Sequence, residues 1–156
     1  MADMPEVGAK APDFCVPSLD SDEVRLSDFA GKTVVLYFYP KDSTPGCTTE
    51  ACDFRDRLER VQGAGAVVLG ASRDSLKRHK NFSEKNGLNF DLLSDEGGEL
   101  TEAYGVWQEK KNYGRTYMGI VRSTFLIDGE GTIVKRWSPV RVKGHADAVI
   151  EAIEAL

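Results

Sequence analysis

Apolar residues form short continuous runs along the chain, separated by stretches with helical spacing. The runs "TVVLYFY" (33–39) and "AVVLGAS" (66–72) consist almost entirely of β-branched, aromatic or small residues. Such runs are typical of strands that are buried on both faces of a sheet. A further strand is predicted near "FDLLSD" (90–95). In "STFLIDGEGTIVKRWS" (123–138) two apolar runs flank a glycine-rich turn, which predicts a hairpin.

Between these runs, apolar residues recur at the spacing of amphipathic helices. From Thr48 to Gln62, residues 51, 54, 58 and 61 lie on one helical face, and glycines then end the pattern. The segment "DSLKRHKNFSEKNG" predicts a helix that Asp74 opens and Gly87 closes. "GGELTEAYG" predicts a short helix, and "HADAVIEAIEAL" predicts an amphipathic helix at the end of the chain.

The order of these elements predicts the fold class. Two short extended segments, "DFCVPSL" and "EVRLSDF", surround a polar turn and predict an N-terminal β-hairpin. Strands then alternate with helices, and a hairpin follows late in the chain. We therefore predict one α/β domain over residues 1–156, with a central mixed sheet flanked by helices. No internal repeat or low-complexity linker divides the sequence.

Composition and charge narrow the choice of partners. The chain is 41% hydrophobic and 29% charged, and its net charge is −5. An acidic chain is a poor match for nucleic acid or an anionic membrane as main partner. The first residues lack the apolar stretch of a signal peptide, and "VVLYFY" is too short to span a bilayer. A cytoplasmic location is expected. The glycines of "GAGAVVLG" end a helix and open a strand, the reverse of a dinucleotide-binding loop, so no nucleotide cofactor is predicted.

The chain has three cysteines, Cys15, Cys47 and Cys52. An odd and small number argues against a disulfide-stapled secreted scaffold. In a reducing compartment, a close pair such as Cys47 and Cys52 is typical of catalytic, redox-sensing or metal-binding sites. Cys15 stands apart and alternates with Phe14 and Val16 in a predicted strand, which indicates a structural thiol.

Cys47 follows a buried strand and begins a predicted helix, in the sequence "PKDSTPGCTTEAC" (40–52). Thr44 is a candidate N-cap, Pro45 suits the first helical position, and Gly46 allows a ligand or the backbone to approach closely. The first N–H groups of a helix have no intrahelical partner and lie at the positive end of its dipole. This position favours the thiolate, which is the nucleophilic form, and the free N–H groups can hold an anion or a peroxide oxygen.

The five-residue spacing of Cys47 and Cys52 has a geometric consequence. On a regular helix, five residues place the Cα atoms about 8.6 Å apart and rotate them by about 140°. A disulfide needs Cα atoms within about 7 Å. The two thiols can therefore join only if the start of the helix unwinds, and helix ends are where local opening costs least.

Two other kinds of cysteine site have weaker support. A zinc site needs about four ligands at regular spacing, but only His79 and His145 are available and neither is near the cysteine pair. We predict no metal site and expect both histidines to be ordinary surface residues. Cysteine–histidine acyl transfer would leave the second cysteine unexplained. Four aromatic residues are expected to pack near the site or in the core: Trp107, Tyr113, Tyr117 and Trp137.

The run from Pro40 to Cys47 contains P-x-x-x-T-x-x-C, which resembles the active-site pattern of peroxiredoxins. "TPGCTTEACDFRD" and "YGVWQEKKNYGRTYMGIVRSTFLID" resemble the bacterioferritin comigratory protein, or Q-type, subgroup of that family. The resemblance extends from "VGAKAPDF" to the last helix. It implies a thioredoxin-like fold and a thiol peroxidase that reduces hydrogen peroxide and organic hydroperoxides.

The resemblance also implies residue roles. Cys47 matches the peroxidatic cysteine, which becomes a sulfenic acid, and Cys52 matches a resolving cysteine that forms an intramolecular disulfide. Thr44 matches the residue whose hydroxyl contacts the thiolate and the substrate oxygen, Arg122 matches the arginine that completes the site, and Pro40 matches the proline that shields it. The N–H groups of Gly46 and Cys47 would add donors for the departing oxygen.

The same resemblance implies that thioredoxin, or glutaredoxin, reduces the disulfide and that the chain is a monomer. Three other functions stay open, and one of them is a zinc- or copper-binding module. A redox-sensing or holdase protein could use the same disulfide as a switch. A thiol–disulfide oxidoreductase is a further alternative, although the sequence lacks C-x-x-C.

Overall fold

A five-stranded mixed sheet lies at the centre of the structure, a computed structural model that describes residues 3–156. In chain order the strands are β1 Cys15–Val16, β2 Val24–Arg25, β3 Thr33–Phe38, β4 Ala66–Ser72, β5 Asp91–Ser94, β6 Trp107–Asn112, β7 Arg115–Ile120, β8 Ser123–Ile127 and β9 Ile133–Trp137. The helices are a 3-10 helix Leu26–Phe29, then α1 Pro45–Asp56, α2 Leu58–Gly63, α3 Leu76–Asn86, α4 Glu99–Ala103 and α5 His145–Glu154.

The sheet has the strand order β5-β4-β3-β8-β9. β3, β4 and β5 run parallel, whereas β8 is antiparallel to β3 and β9 is antiparallel to β8. β3 is the middle strand, and this explains its continuous apolar run. Val34, Leu36 and Phe38 face one core, and Val35 and Tyr37 face the other.

The two cores lie on opposite faces of this sheet. One is built from β3, β4 and the apolar sides of α1, α2, α3 and α5. The other packs the N-terminal segment, the β1–β2 hairpin and α4 against the sheet. The predicted α/β class, mixed sheet and N-terminal hairpin are thus confirmed. None of the helices in residues 3–156 has the length and apolar character that crossing a bilayer requires.

The pattern from Thr48 to Gln62 predicts one continuous helix, and this is wrong. The helix begins at Pro45, the first helical position that Thr44, Pro45 and Gly46 indicate, but Arg57 divides it into α1 and α2. The guanidinium of Arg57 donates to the Asp53 carbonyl (3.0 Å), which is the acceptor that the Arg57 N–H would use in a continuous helix. That N–H instead donates to the Phe54 carbonyl (3.2 Å). The apolar pattern carries across the break because residues on both sides of it face the same core.

The hairpin β6–β7 was not predicted. Its strands pair antiparallel from Trp107 opposite Ile120 to Asn112 opposite Arg115, and most of their residues are exposed, so no apolar alternation marks them. Tyr113 and Gly114 form the two-residue turn with φ values of 51° and 76°. Positive φ at both positions is the geometry of a type I′ hairpin turn.

Several side chains lie elsewhere than the sequence predicts. Tyr113 is 97% exposed and Tyr117 is 45% exposed, so neither packs in the core, because both lie on the solvated hairpin. Trp107 and Trp137 do pack against the two cores. Cys15 lies on the exposed side of β1 and contributes nothing to the core.

Truncating Phe54 tests how firmly α1 is packed on the sheet. Phe54 is fully buried and stacks on Tyr37 with ring centroids 5.0 Å apart. We expect Phe54→Ala to lower the free energy of unfolding by about 3–5 kcal/mol, as measured by urea denaturation. Leu156→Ala, at a 63% exposed apolar residue, should change it by less than about 0.5 kcal/mol. Equal losses in the two variants would contradict this packing.

Candidate active site

Cys47 lies in the first turn of α1, directly after the β3 strand and a short loop. Its side chain is buried, with 1% of its surface exposed. Thr44 has the extended backbone of an N-cap and Pro45 is the first helical residue, as predicted. Within the described residues, the N–H groups of Gly46 and Cys47 donate to no backbone or side-chain acceptor, and the first helical bond comes from Thr48. These two donors remain available beside the thiol.

Arg122 lies beside this thiol because of the register of the sheet. β8 pairs with β3 so that Ser123 is opposite Phe38, and the preceding residue therefore lies next to the loop that leaves β3. A guanidinium NH2 group of Arg122 donates to the Cys47 Sγ at 3.3 Å. Gly46 permits this approach, since a Cβ at that position would lie 3.1 Å from the same nitrogen. The structure thus brings Cys47, Gly46 and Arg122 together.

Glu50 is a member of the site that the sequence analysis missed. The other terminal nitrogen of Arg122 donates to Glu50 Oε1 at 2.7 Å, and this carboxyl is 1% exposed. Burial raises the pKa of Glu50 to about 7, although the charge of Arg122 opposes the rise. A signal for it does exist in the sequence. Glu50 is three residues after Cys47, on the helical face that Phe54 buries, where a charged side chain needs a partner.

Two further groups surround the Arg122 guanidinium. Lys110 on β6 donates to the Ile120 carbonyl at 3.0 Å, and burial together with repulsion by Arg122 lowers its pKa. His145, at the start of α5, is bonded to the Thr124 hydroxyl at 2.7 Å. Burial and the nearby charge of Arg122 lower the pKa of His145 to about 4, so its imidazole is neutral.

Thr44 and Pro40 are near the thiol in sequence, but within residues 3–156 neither side chain is hydrogen-bonded to Cys47. The hydroxyl of Thr44 donates to the Lys41 carbonyl at 2.8 Å, so it does not cap α1. Its proton would have to turn away from this carbonyl to reach a thiolate. Pro40 is half-buried at the end of β3.

Cys52 is half-buried, and both it and Cys47 are free thiols. α1 is unbroken from Pro45 to Asp56, so both cysteines lie on one regular helix. The helical separation of about 8.6 Å between their Cα atoms exceeds the reach of a disulfide. This structure therefore shows the state in which the two sulfurs are held apart.

The expectation that the histidines lie on the surface is wrong for both. His145 is 6% exposed and His79 is fully buried, because each finds polar partners inside the protein. His79 Nδ1 is 2.6 Å from Asp42 Oδ2, and its Nε2 is 2.8 Å from the Leu93 carbonyl. These partners come from distant parts of the sequence, so no local sequence pattern predicts that the histidines are buried.

Among the described residues, the side chains of Asp42, Asp74 and His79 lie close enough to share a metal ion, with candidate ligand atoms within 4.8 Å of one another. Their ligand atoms already have partners. Both His79 nitrogens are hydrogen-bonded within the protein, and Arg78 forms a 2.9 Å ion pair with Asp74. An ion would have to displace these bonds, so the donor set fits a hydrogen-bonded network better than a metal centre.

Comparison of the sequence with known proteins identifies the family of this chain. A model of the AhpC/TSA family matches residues 7–136. Peroxiredoxin Bcp of Bacillus subtilis is 54% identical over 151 residues, which cover 97% of this chain and 94% of the relative. The chain belongs to the AhpC/TSA family of peroxiredoxins. The predicted resemblance is confirmed.

Solved structures of peroxiredoxins share the fold. A structure of the bacterioferritin comigratory protein of Xanthomonas campestris, concerned with its alkyl peroxide reduction activity, is 48% identical, with a TM-score of 0.86 and coverage of 91% of this chain and 90% of that one. A cysteine-to-serine mutant of Xylella fastidiosa PrxQ is 39% identical, with a TM-score of 0.92 and coverage of 99% and 98%. This peroxiredoxin therefore has the thioredoxin-like fold of the Q-type subgroup.

The buried carboxyl of Glu50 should give this peroxiredoxin a distinctive pH dependence of stability. Its pKa is 4.5 in the unfolded reference and about 7 in the folded chain. Between these values the folded chain binds more protons, so the free energy of unfolding falls as the pH rises. Glu50→Gln removes this loss. Relative to wild type, the variant should gain up to about 3 kcal/mol between about pH 4 and pH 8, as measured by urea denaturation.

Glu59→Gln is the matched control, because it makes the same change at an exposed position of α2. Its stability should follow the wild-type curve throughout. Parallel curves for wild type and Glu50→Gln would show that Glu50 does not hold an extra proton in the folded protein.

Proposed function

We propose that this peroxiredoxin is a thiol peroxidase that reduces hydrogen peroxide and organic hydroperoxides at Cys47. The main support is the 3.3 Å contact between the Arg122 guanidinium and the Cys47 Sγ, beside free N–H groups of Gly46 and Cys47. A permanent cation next to a thiol favours the thiolate, and donors on the same side are aimed at the charge that develops on a departing oxygen.

The proposed first step is attack of the Cys47 thiolate on one peroxide oxygen. The O–O bond breaks, a new S–O bond forms, and the other oxygen leaves as water or an alcohol after it takes up a proton. Cys47 becomes a sulfenic acid. Arg122 and the N–H groups at the start of α1 stabilise the departing oxygen, and Thr44 joins them if its hydroxyl turns from Lys41. Pro40 shields the site from water.

In the second step, the thiolate of Cys52 attacks the Cys47 sulfur. An S–S bond forms, the S–O bond of the sulfenic acid breaks, and the departing hydroxide takes up a proton from solvent to become water. Because intact α1 keeps the two residues apart, its first turns must unwind for this bond to form. A dithiol reductant of the thioredoxin type, or glutaredoxin, then supplies two electrons and two protons that restore both thiols. We propose that the chain works as a cytoplasmic monomer with one domain.

Cysteine variants test these roles in an assay that couples peroxide reduction to NADPH oxidation through thioredoxin and thioredoxin reductase. Cys47→Ser should reduce the rate to the uncatalysed background, because it removes the nucleophile. Cys52→Ser should consume about one peroxide per chain and then stop, because nothing resolves the sulfenic acid. Cys15→Ser, which changes an exposed thiol on β1, should keep wild-type activity.

Full activity of Cys47→Ser would overturn the mechanism. Slow turnover with every reductant, together with tight binding of client proteins to the oxidised form, would instead support a redox-switch or holdase function. Reduction of insulin at a substantial rate would support a thiol–disulfide oxidoreductase.

The unwinding step predicts a loss of helical signal on oxidation. One equivalent of peroxide should lower the far-UV circular dichroism of wild type at 222 nm by about one to two helical turns, since α1 has to open between its start and Cys52. Dithiothreitol should restore the signal. Cys52→Ser, which stops at the sulfenic acid, should keep the spectrum of the reduced protein. Identical spectra for reduced and disulfide-bonded wild type would contradict the unwinding.

A further inference from the structure

The loop 40–44, which joins β3 to α1, rests on a buried polar network that no step of the proposed reaction uses. Asp42 in this loop is 2% exposed and His79 on α3 is fully buried. The Asp42 carboxylate accepts the Tyr39 hydroxyl on one oxygen and lies 2.6 Å from His79 Nδ1 on the other. His79 Nε2 is 2.8 Å from the carbonyl of Leu93 in β5. The network therefore ties the loop to Tyr39 at the end of β3, to α3 and to β5.

The hydrogen-bond partners fix the number of protons in this pair. A carbonyl oxygen only accepts, so His79 Nε2 carries a proton and donates to Leu93. The other ring nitrogen faces a carboxylate oxygen, so a second proton lies between Nδ1 and Asp42. With that proton, the pair is neutral overall. Without it, an unprotonated nitrogen and a carboxylate oxygen would face each other at 2.6 Å in the interior, which is repulsive.

The backbone of the loop depends on the same network. The N–H of Asp42 donates to Asp74 Oδ2 at 2.9 Å. The next residue, Ser43, has a φ of 65°, which is a left-handed conformation that few residues other than glycine adopt. Such a conformation persists only where the surrounding structure holds it. Thr44, Pro45 and the first turn of α1 follow immediately, so the position of Cys47 depends on how this loop is held.

We propose that Asp42 and His79 are positioning residues that act as a pH-sensitive anchor. While the pair holds its shared proton, it keeps residues 40–52 in the folded arrangement in which Cys47 meets Arg122. When the proton is lost, the anchor weakens and the start of α1 opens more often. The second part rests on the proposed function, in which this opening allows Cys47 and Cys52 to join.

The charged and titratable groups around His79 come from every element packed against it. Tyr39 directly follows β3, Asp42 lies in the loop, and Asp74 precedes α3. The charge of Asp74 is balanced by Arg78, which donates to its carboxylate at 2.9 Å. When His79 and Asp42 lose their shared proton, the negative charge of Asp42 therefore has no positive partner in this network.

The direction of the pH effect follows from the same contacts. Burial lowers the pKa of His79, but the hydrogen bond to Asp42, the charge of Asp42, the Leu93 carbonyl and the charge of Asp74 together raise it above 6.5. Because the pKa of His79 is higher in the folded chain than in the unfolded chain, its protonation stabilises the fold. This contribution to the free energy of unfolding is complete below the unfolded pKa, and it is lost as the pH rises through the folded pKa. The anchor should therefore be strongest below about pH 6.5 and weaken above it.

Hydrogen exchange of the reduced protein tests the anchor without any peroxide. In wild type, the protection of amides in residues 40–52, corrected for intrinsic exchange, should fall as the pH rises above about 6.5. In His79→Gln the same amides should exchange on the order of tenfold faster at pH 6, because a hydrogen bond between charged partners is lost, and only the pH dependence that Glu50 contributes should remain. Asp42→Asn weakens the pair from the other side and should have the same effect.

Ser75→Ala is the matched control. Ser75 caps α3, the helix that carries His79, because its hydroxyl accepts the Arg78 N–H at 3.2 Å. That hydroxyl has no hydrogen bond to Asp42 or His79, and the Ser75 carbonyl, which accepts the His79 N–H at 3.0 Å, is retained in the variant. This variant should loosen the start of α3 and leave residues 40–52 at wild-type protection. Equal exchange of residues 40–52 in wild type and His79→Gln, or equal effects of His79→Gln and Ser75→Ala, would overturn the proposal. If His79→Gln does not fold, Asp42→Asn and the pH profile of Glu50→Gln, which lacks the contribution of Glu50, decide it.

A peroxide experiment then tests the link to the reaction. After one equivalent of peroxide, rapid quenching with a thiol-alkylating reagent and mass spectrometry give the rate of disulfide formation. His79→Gln should form the disulfide several-fold faster than wild type at pH 6, and Ser75→Ala should not. Equal rates would overturn the link between the anchor and unwinding. If peroxide fails to oxidise wild-type Cys47, the proposed function fails, whereas the exchange result for the anchor still stands.

Discussion

The contact between Arg122 and Cys47 is the interaction around which the site is arranged. The two residues are 75 positions apart, and only the pairing of β3 with β8 brings them within 3.3 Å. β3 therefore has two roles. Its apolar side chains fill both cores, and its end delivers the loop and α1 to the position where Arg122 enters. A change of one residue in the β3–β8 register would move Arg122 to the other face of the sheet.

The positive charge of Arg122 has to be balanced when the Cys47 thiol is neutral, and neighbouring residues provide that balance. A half-buried guanidinium beside a thiol needs a counter-charge when the thiol is neutral, and Glu50 supplies it at 2.7 Å. One oxygen of Glu50 has no hydrogen-bond partner among the described residues, which fits a carboxyl that spends part of its time protonated near neutral pH. His145 is kept neutral by burial and by Arg122, so it adds no competing positive charge. The balance between Glu50 and Cys47 thus determines how much of the Arg122 charge is available to the thiolate.

The sequence predicts the parts of this structure that local chemistry determines. The buried strands follow from uninterrupted apolar runs, and the start of α1 follows from Thr44, Pro45 and Gly46. The break at Arg57 could not be predicted, because it depends on a guanidinium that bonds both the Asp53 carbonyl and Asp147 on α5. The hairpin β6–β7 could not be predicted, because neither of its strands buries a whole face and the sequence therefore shows no alternation of apolar and polar residues there.

The residues of the candidate site likewise fall into two groups, those that the sequence predicts and those that only the structure reveals. Cys47, Cys52 and Arg122 come from a family pattern, and the thiol pair also stands out by its spacing. No family pattern marks Glu50 or His79. The helical spacing of Glu50 from Cys47 and Phe54 indicates that its carboxyl needs a partner, but it does not show which residue that partner is. For Glu50 the partner is 72 residues away, and for His79 it is 37 residues away.

The first step of the proposed reaction needs the start of α1 folded, and the second step needs it unwound. The two halves of the helix are held by different kinds of contact, and this difference allows both. Its first turns hold polar contacts, such as the Thr48 hydroxyl on the Thr44 carbonyl, which water can replace at small net cost. Its second half is fixed by Ala51 and Phe54, both fully buried, and releasing Phe54 would expose a large apolar surface. Cys52 lies between Ala51 and Phe54, at the beginning of the fixed half. Unwinding that starts at Pro45 can therefore free Cys47 to approach Cys52 while Phe54 still holds the remainder of α1 on the sheet.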